Sequence, residues 1–190
     1  MFLENKLLLK ITILAPFLFF LSMSYAERYK RPMVINKVKR MGLEIWTEME
    51  PSWKTELIMN GKKPIFVAYT PSNVYPPSGM TWVNHSEVQL TPVEFPEIAR
   101  STLETAAKNY KFSKKLSELV ITPKIYGSLN GFEINFIGLL DKKYVDVRVF
   151  TGRSNGRGPV TMQAYAPKGK LKHLKEQIRR SWTHTRYLDN

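Results

Sequence analysis

From Phe132 to Ala166 the sequence leaves the backbone little freedom. Phe132, Ile134 and Phe136 alternate with Glu133 and Asn135, Val145, Val147 and Val149 alternate with Asp146 and Arg148, and Val160, Met162 and Ala164 continue the same period of two. A period of two sends alternate side chains to opposite faces of a sheet, and a one-residue slip would turn every valine outward, so each run is a strand of fixed register. The links between them are short: Asp141-Lys142-Lys143, then the glycine-rich Gly152 to Gly158, which contains the hairpin dipeptide Asn155-Gly156. Connections of that length join antiparallel neighbours. The sequence therefore predicts a three-strand meander.

Around the meander the signals change. Leu43 to Glu48 alternates like a strand, and Ile65 to Thr70 is an apolar β-rich run bounded by Pro64 and Pro71. Pro71 to Gly79 is proline-rich and predicts an exposed loop, after which Met80 to Leu90 has strand composition. Pro96 followed by Glu97 opens a helix that runs to about Tyr110, with Ile98, Leu103, Ala106, Ala107 and Tyr110 near one face. A last helix is predicted from Gly169 to Thr185. There Leu171, Leu174, Ile178 and Trp182 fall within about 80° of arc at about 100° per residue, a stripe that must pack on the sheet. The expected fold class is α+β: an antiparallel sheet packed by an internal helix and a C-terminal helix, an α/β/α sandwich.

This order of elements resembles the PsbP-like and DcrB-like exported α/β/α sandwiches. The residues that carry the likeness are Leu119-Val120-Ile121-Thr122-Pro123-Lys124, Gly131-Phe132-Glu133, the Tyr144 to Ala166 hairpin and the terminal helix, so it covers mainly residues 110–190. The resemblance implies a small non-enzymatic binding or assembly protein, of a group in which some members dock on membrane complexes and some are linked to bacterial secretion systems.

The first 26 residues read as an address. Lys6 and Lys10 precede an apolar stretch from Ile11 to Leu21, and Ser24-Tyr25-Ala26 suits signal peptidase. The stretch is shorter than the roughly 18 to 20 apolar residues that span a bilayer as a helix. Cleavage after Ala26 and a single domain over 27–190 are expected, an uncleaved anchor being the alternative. The chain of 190 residues carries 29 Lys+Arg against 16 Asp+Glu, a formal charge of +13. Removing Glu4, Lys6 and Lys10 takes away two bases and one acid and leaves +12. Such a charge predicts an acidic partner, and export argues against nucleic acid. With no cysteine, disulfides, thiolate metal sites and cysteine nucleophiles are excluded. No cofactor or metal is expected.

Candidate chemistry is sparse. Gly152-Arg153-Ser154-Asn155-Gly156 spells the nucleophile-elbow pattern of a hydrolase, and Glu176 and His184 follow in hydrolase order. That motif requires a strand turning sharply into a helix, whereas here a strand follows. Arg153 and Arg157 on the same turn could grip a carboxylate or phosphate with two guanidiniums. His173 and His184, 11 positions apart on the predicted helix, would lie about 16 Å apart, too far to share a metal. His85 is expected on an exposed strand face with Glu87. Glu44, Glu48 and Glu50 would make a glycosidase pair only if they converged across a cleft, and are expected on a solvated strand edge. Trp46, Trp53 and Trp82 could line a groove but are expected in or beside the core.

The terminal helix is the strongest functional signal. Between Lys168 and Arg186 there are seven Lys+Arg and one acid, Glu176. Projection places Lys172, His173, Arg179, Arg180 and His184 away from the apolar stripe, as an exposed cationic ridge. The leading expectation is an exported, non-catalytic binding protein. Its Arg153/Arg157 loop and Lys172, His173, Arg179 and Arg180 would meet an acidic protein, for example as an immunity protein or inhibitor that neutralises a toxic enzyme in the periplasm. The alternatives are an anionic-lipid or envelope-surface binder in peripheral membrane contact, and a small hydrolase using Ser154 or the Glu44 to Glu50 cluster.

Overall fold

The computed structural model describes residues 32–49, 53–71 and 73–188. The proposed signal segment, residues 1–26, and Glu50 lie outside them. The meander forms as its alternation requires: β7 (Leu129–Leu140 in a series begun by β6, Thr122–Tyr126), β8 (Lys143–Arg153) and β9 (Val160–Pro167) pair in antiparallel order. The β7–β8 link is a two-residue turn, with Asp141 and Lys142 both at positive φ (48° and 63°), the conformation whose twist matches the flanking strands. A second meander, β3 (Lys54–Asn60), β4 (Lys63–Tyr69) and β5 (Gly79–Asn84), joins the first where β5 pairs with β9. The result is a seven-stranded sheet in the order β3-β4-β5-β9-β8-β7-β6.

Both faces of this sheet are covered, each by a different helix. Helix α1 (Phe95–Asn109) lays Leu103, Ala106 and Ala107 on Ile134 and Phe136 of β7 and on Val145, Val147 and Val149 of β8. On the opposite face Phe150, Met162, Ala164, Met80 and Trp82 meet Ile178 and Trp182 of the terminal helix α2 (Lys175–Thr183). That face is shared with a small sheet in which β2 (Leu43–Glu48) lies between β1 (Met33–Val38) and β10 (Arg186–Tyr187). Leu43 and Ile45 of β2 are fully buried in the same core. The fold is thus α+β, with helices on both faces of a large antiparallel sheet.

Four elements differ from the sequence reading. The strand predicted to Leu90 ends at Asn84, because after one last bond of the His85 N–H to the Pro159 carbonyl at 2.8 Å the chain reverses in a turn closed by the Val88 N–H on the His85 carbonyl at 2.9 Å. The terminal helix is split into a 3₁₀ turn, Leu171–Leu174, and α2; the Leu171 N–H is held by the Asp146 carboxylate of β8 at 3.3 Å. The apolar stripe survives the split, since Leu171, Ile178 and Trp182 are all buried. Finally β1 and β3 carry no clean alternation. All seven residues of β3 are exposed, so neither face was under pressure to be apolar. In the Pro71 to Gly79 loop, Pro71 and Asn73 to Tyr75 are exposed as expected, Pro77 and Ser78 are half-buried, and Pro76 and Gly79 are buried.

Candidate partner-binding site

Strand β2 organises the charges. Its alternation puts Leu43 and Ile45 in the core and Glu44, Trp46 and Glu48 on the other side, where the C-terminal segment runs past them. Arg180 Nη1 donates to Glu48 Oε1 at 3.1 Å. His184 stacks on Trp46 with ring centroids 4.8 Å apart. Arg186 donates to Glu44 Oε1 at 2.8–2.9 Å. Three successive outward residues of β2 therefore each meet a basic or imidazole partner. Glu44 and Glu48 are buried, which corrects their assignment to a solvated strand edge. Hydrogen bonding from the Trp46 indole lowers the Glu44 pKa most, and the Arg186 charge adds to it against the opposing effect of burial.

This ladder thins the predicted ridge. The Arg180 side chain is only 13% exposed and is spent on Glu48, so it does not belong to an exposed surface. Arg179 bridges to Glu176 at 3.0 Å. Lys172 and His173 are exposed as projected, but they sit on the 3₁₀ turn rather than on α2. The projection failed at Arg180 because it assumed one packed side, whereas α2 touches both β2 and the large sheet.

The two loop arginines do not converge. Arg153 lies 4.9 Å over the Phe95 ring, with Nη1 donating to the Leu90 carbonyl, and so ties the end of β8 to the start of α1. Arg157 is exposed and leans over the Tyr187 ring at 5.6 Å. The Tyr187 hydroxyl donates to the Gly158 carbonyl at 2.5 Å, and burial pushes its pKa up to about 12. Gly156 holds φ +69°, the left-handed conformation that lets the loop reverse, and a Cβ on Gly158 would stand 2.3 Å from the His85 carbonyl. The loop is pinned at both flanks and leaves Arg157 presented.

Arg157 borders a polar cleft of about 620 Å³, completed by Lys37, Glu44, Arg186 and the hydroxyls of Ser128 and Ser154. Register explains how chain ends meet here: Lys37 of β1 and Arg186 of β10 both pair directly with Glu44 of β2, one from each side. Among the described residues three cations thus face one carboxylate, and that carboxylate is already engaged by Arg186 and Trp46. Among the described residues, neither Lys37 nor Arg157 has an ion-pair partner. Sequence reasoning missed Lys37 and Arg186 because only the β1-β2-β10 pairing, built from residues at opposite ends of the chain, brings them together. On the other side of the same loop an apolar groove of about 740 Å³ is lined by Phe95, Pro96, Pro123, Ile125 and Phe132, with Arg153 at its wall. Asn155 lines both depressions.

The remaining candidates are dispersed. Ser154 lies on a strand-to-strand loop and donates to the Ser128 carbonyl at 2.9 Å, Glu176 is bound by Arg179, and His184 Nδ1 faces the Arg180 carbonyl at 2.7 Å. Among the described residues no hydrogen bond links the three. His85 is half-buried, its Nε2 3.2 Å from Thr161 Oγ1, and burial first, then the Lys63 charge, lowers its pKa. Trp53 and Trp82 are core residues, while Trp46 is half-buried beneath His184.

No family model matches the chain, and no curated protein matches it. A crystal structure of a protein from Bacteroides thetaiotaomicron VPI-5482 superposes on 78% of this chain with a TM-score of 0.49 and 9% identity. The matched region spans 46% of that protein, less than half its length.

Proposed function

We propose that this is an exported, non-catalytic binding protein that docks an acidic protein partner through the Arg157 loop and the cleft between Lys37 and Arg186. One observation carries the reading: among the described residues, three cations surround a cleft whose one carboxylate is already engaged by Arg186 and Trp46, an arrangement that favours an anionic ligand. The +12 charge after signal removal and the resemblance to exported sandwiches support it. Lys172, exposed on the 3₁₀ turn, adds to the long-range field, and His173 is exposed beside it. Within this reading the role is that of an immunity protein or inhibitor, which needs export, small size and a charged face complementary to one enzyme. The inhibitory role rests on fold resemblance.

The test is a pull-down from periplasmic extract with the wild type and with Arg157→Glu, at low and high salt, beside flotation on vesicles rich in anionic lipid. The expected result is one stoichiometric acidic protein, weakened by salt because screening acts within about 8 Å at physiological ionic strength, and lost with Arg157→Glu. Recovery of no acidic protein, with salt-sensitive flotation instead, would replace this reading by an anionic-lipid binder.

A further inference from the structure

The cleft and the groove share a wall. Residues 153–157 separate them: Arg153 lines only the groove, Ser154 and Arg157 only the cleft, and Asn155 both. A second shared boundary is the start of β7, where Ser128 lines the cleft and Asn130 and Gly131 line the groove. One depression is cationic and hydroxyl-rich; the other is walled mainly by rings and aliphatic carbons, with Lys124, Asn130 and Arg153 also in its lining. Two adjacent sites of different character, held by one pinned loop, fit a ligand that is itself two-sided.

Resting on the acidic-partner reading, we infer that the occupant is an extended peptide segment of that partner. It places a carboxylate in the Lys37–Arg157–Arg186 cleft and an apolar side chain in the neighbouring Phe95–Ile125–Phe132 groove. Charge complementarity selects the first half, since Lys37 and Arg157 lack ion pairs within the described residues and Arg186 retains outward donors on a side chain 64% exposed. Burial selects the second. Ile125 is 67% exposed at the groove, an apolar side chain left in water beside Phe132 and Pro123. The groove borders β6, the last strand of the large sheet, and Pro123 removes one donor from that open edge. The contact is therefore carried by side chains seated in the two depressions rather than by a fully paired added strand. Arg153 contributes by position: its hold on Phe95 and on the Leu90 carbonyl fixes the wall between the two sites.

The probe is a short fluorescein-labelled peptide carrying one Leu and, a few residues along, a pair of Glu, compared with its Leu→Ser and Glu→Gln versions by fluorescence anisotropy on the full chain. Each change is expected to weaken binding by about tenfold or more, the scale of burying one leucine or of one charge-assisted contact. Ile125→Asp should abolish the preference for Leu and leave the preference for Glu, and Arg157→Glu the reverse. Both residues are exposed, so circular dichroism should show unaltered folding. Two results would overturn the two-sided site while leaving the acidic-partner reading intact. One is a Leu→Ser peptide that binds as well as its parent. The other is no peptide binding at all by a protein that still retains its acidic partner on pull-down. Inorganic phosphate displacing the peptide as effectively as unlabelled peptide does would overturn it too, as a small-anion cleft. Loss of both the peptide and the acidic protein would refute both readings.

Discussion

The C-terminal segment and the β8–β9 loop are both arginine-bearing, yet the fold uses them in opposite ways. Arg180 is drawn onto a buried carboxylate, Glu48, and becomes part of the structure. Arg157, a few ångströms from a tyrosine ring and with no acid of its own among the described residues, stays at the surface. The difference lies in β2: its outward positions supply carboxylates to the segment that runs beside them and none to the loop. Positive charge in a sequence therefore marks a docking surface only after internal carboxylates have taken their share.

The largest effect that would break this comparison is at the internal pair. Arg180→Ala leaves Glu48 buried without that arginine and should cost about 3 kcal/mol in denaturant unfolding, as removing one partner of a buried pair does. Replacing both, as Arg180→Met with Glu48→Leu, should recover most of the loss. If Arg180→Ala were neutral, the inward assignment would fail. Arg157→Glu reverses the pattern: its stability should stay within about 0.5 kcal/mol of wild type, while affinity for the acidic partner drops by about tenfold or more. Arg186→Ala falls between. Its side chain is largely exposed, so solvent screening holds the expected loss to about 1 kcal/mol or less, with binding also weakened.

Acid sharpens the same contrast by a smaller amount. The folded pKa of Glu44 lies below its ordinary 4.5, so the unfolded chain takes up the proton first. The stability that Glu44 contributes is present above about 4.5 and drains away as pH falls through its lowered folded value. His85, held below its ordinary 6.5 by burial, acts earlier: as pH falls below 6.5 the unfolded imidazole protonates before the folded one, and stability declines. Thermal melts from pH 8 down to about 2 should show a first decline near 6.5 that His85→Gln removes and a later one, below about 4.5, that Glu44→Gln reduces. A flat profile between 7 and 5.5 would contradict the buried setting of His85. The smallest effect belongs to Lys172→Glu, which should leave stability unchanged and slow association modestly in stopped-flow measurements at low salt.

Legibility followed burial. Strands β7, β8 and β9 could be read from alternation because each has a buried face on a core cluster, and α1 could be placed to within a residue or so because Leu103, Ala106 and Ala107 share one packed side. Strand β3 left no comparable pattern, since it packs on neither side. Of the candidate site, the exposure of Arg157 was readable from its glycine-rich turn, while the hold of Phe95 and the Leu90 carbonyl on Arg153 comes from distant segments and left no local signal. Lys37 and Arg186 were silent because their meaning comes from a shared cross-strand partner, Glu44, and register between chain ends is not a local property. The terminal helix misled for a related reason: a helical projection separates an apolar from a polar side but cannot show that a second sheet supplies acids to the polar one.

The central claim is that the cleft formed by Lys37, Arg157 and Arg186 is where an acidic partner docks. Its most direct measurement is the dissociation constant of the captured partner for Arg157→Glu, taken beside the wild type in a buffer where both are equally folded. The account predicts a rise of about tenfold or more that high salt largely erases, because the wild type weakens toward the variant. An unchanged constant at low salt would contradict it.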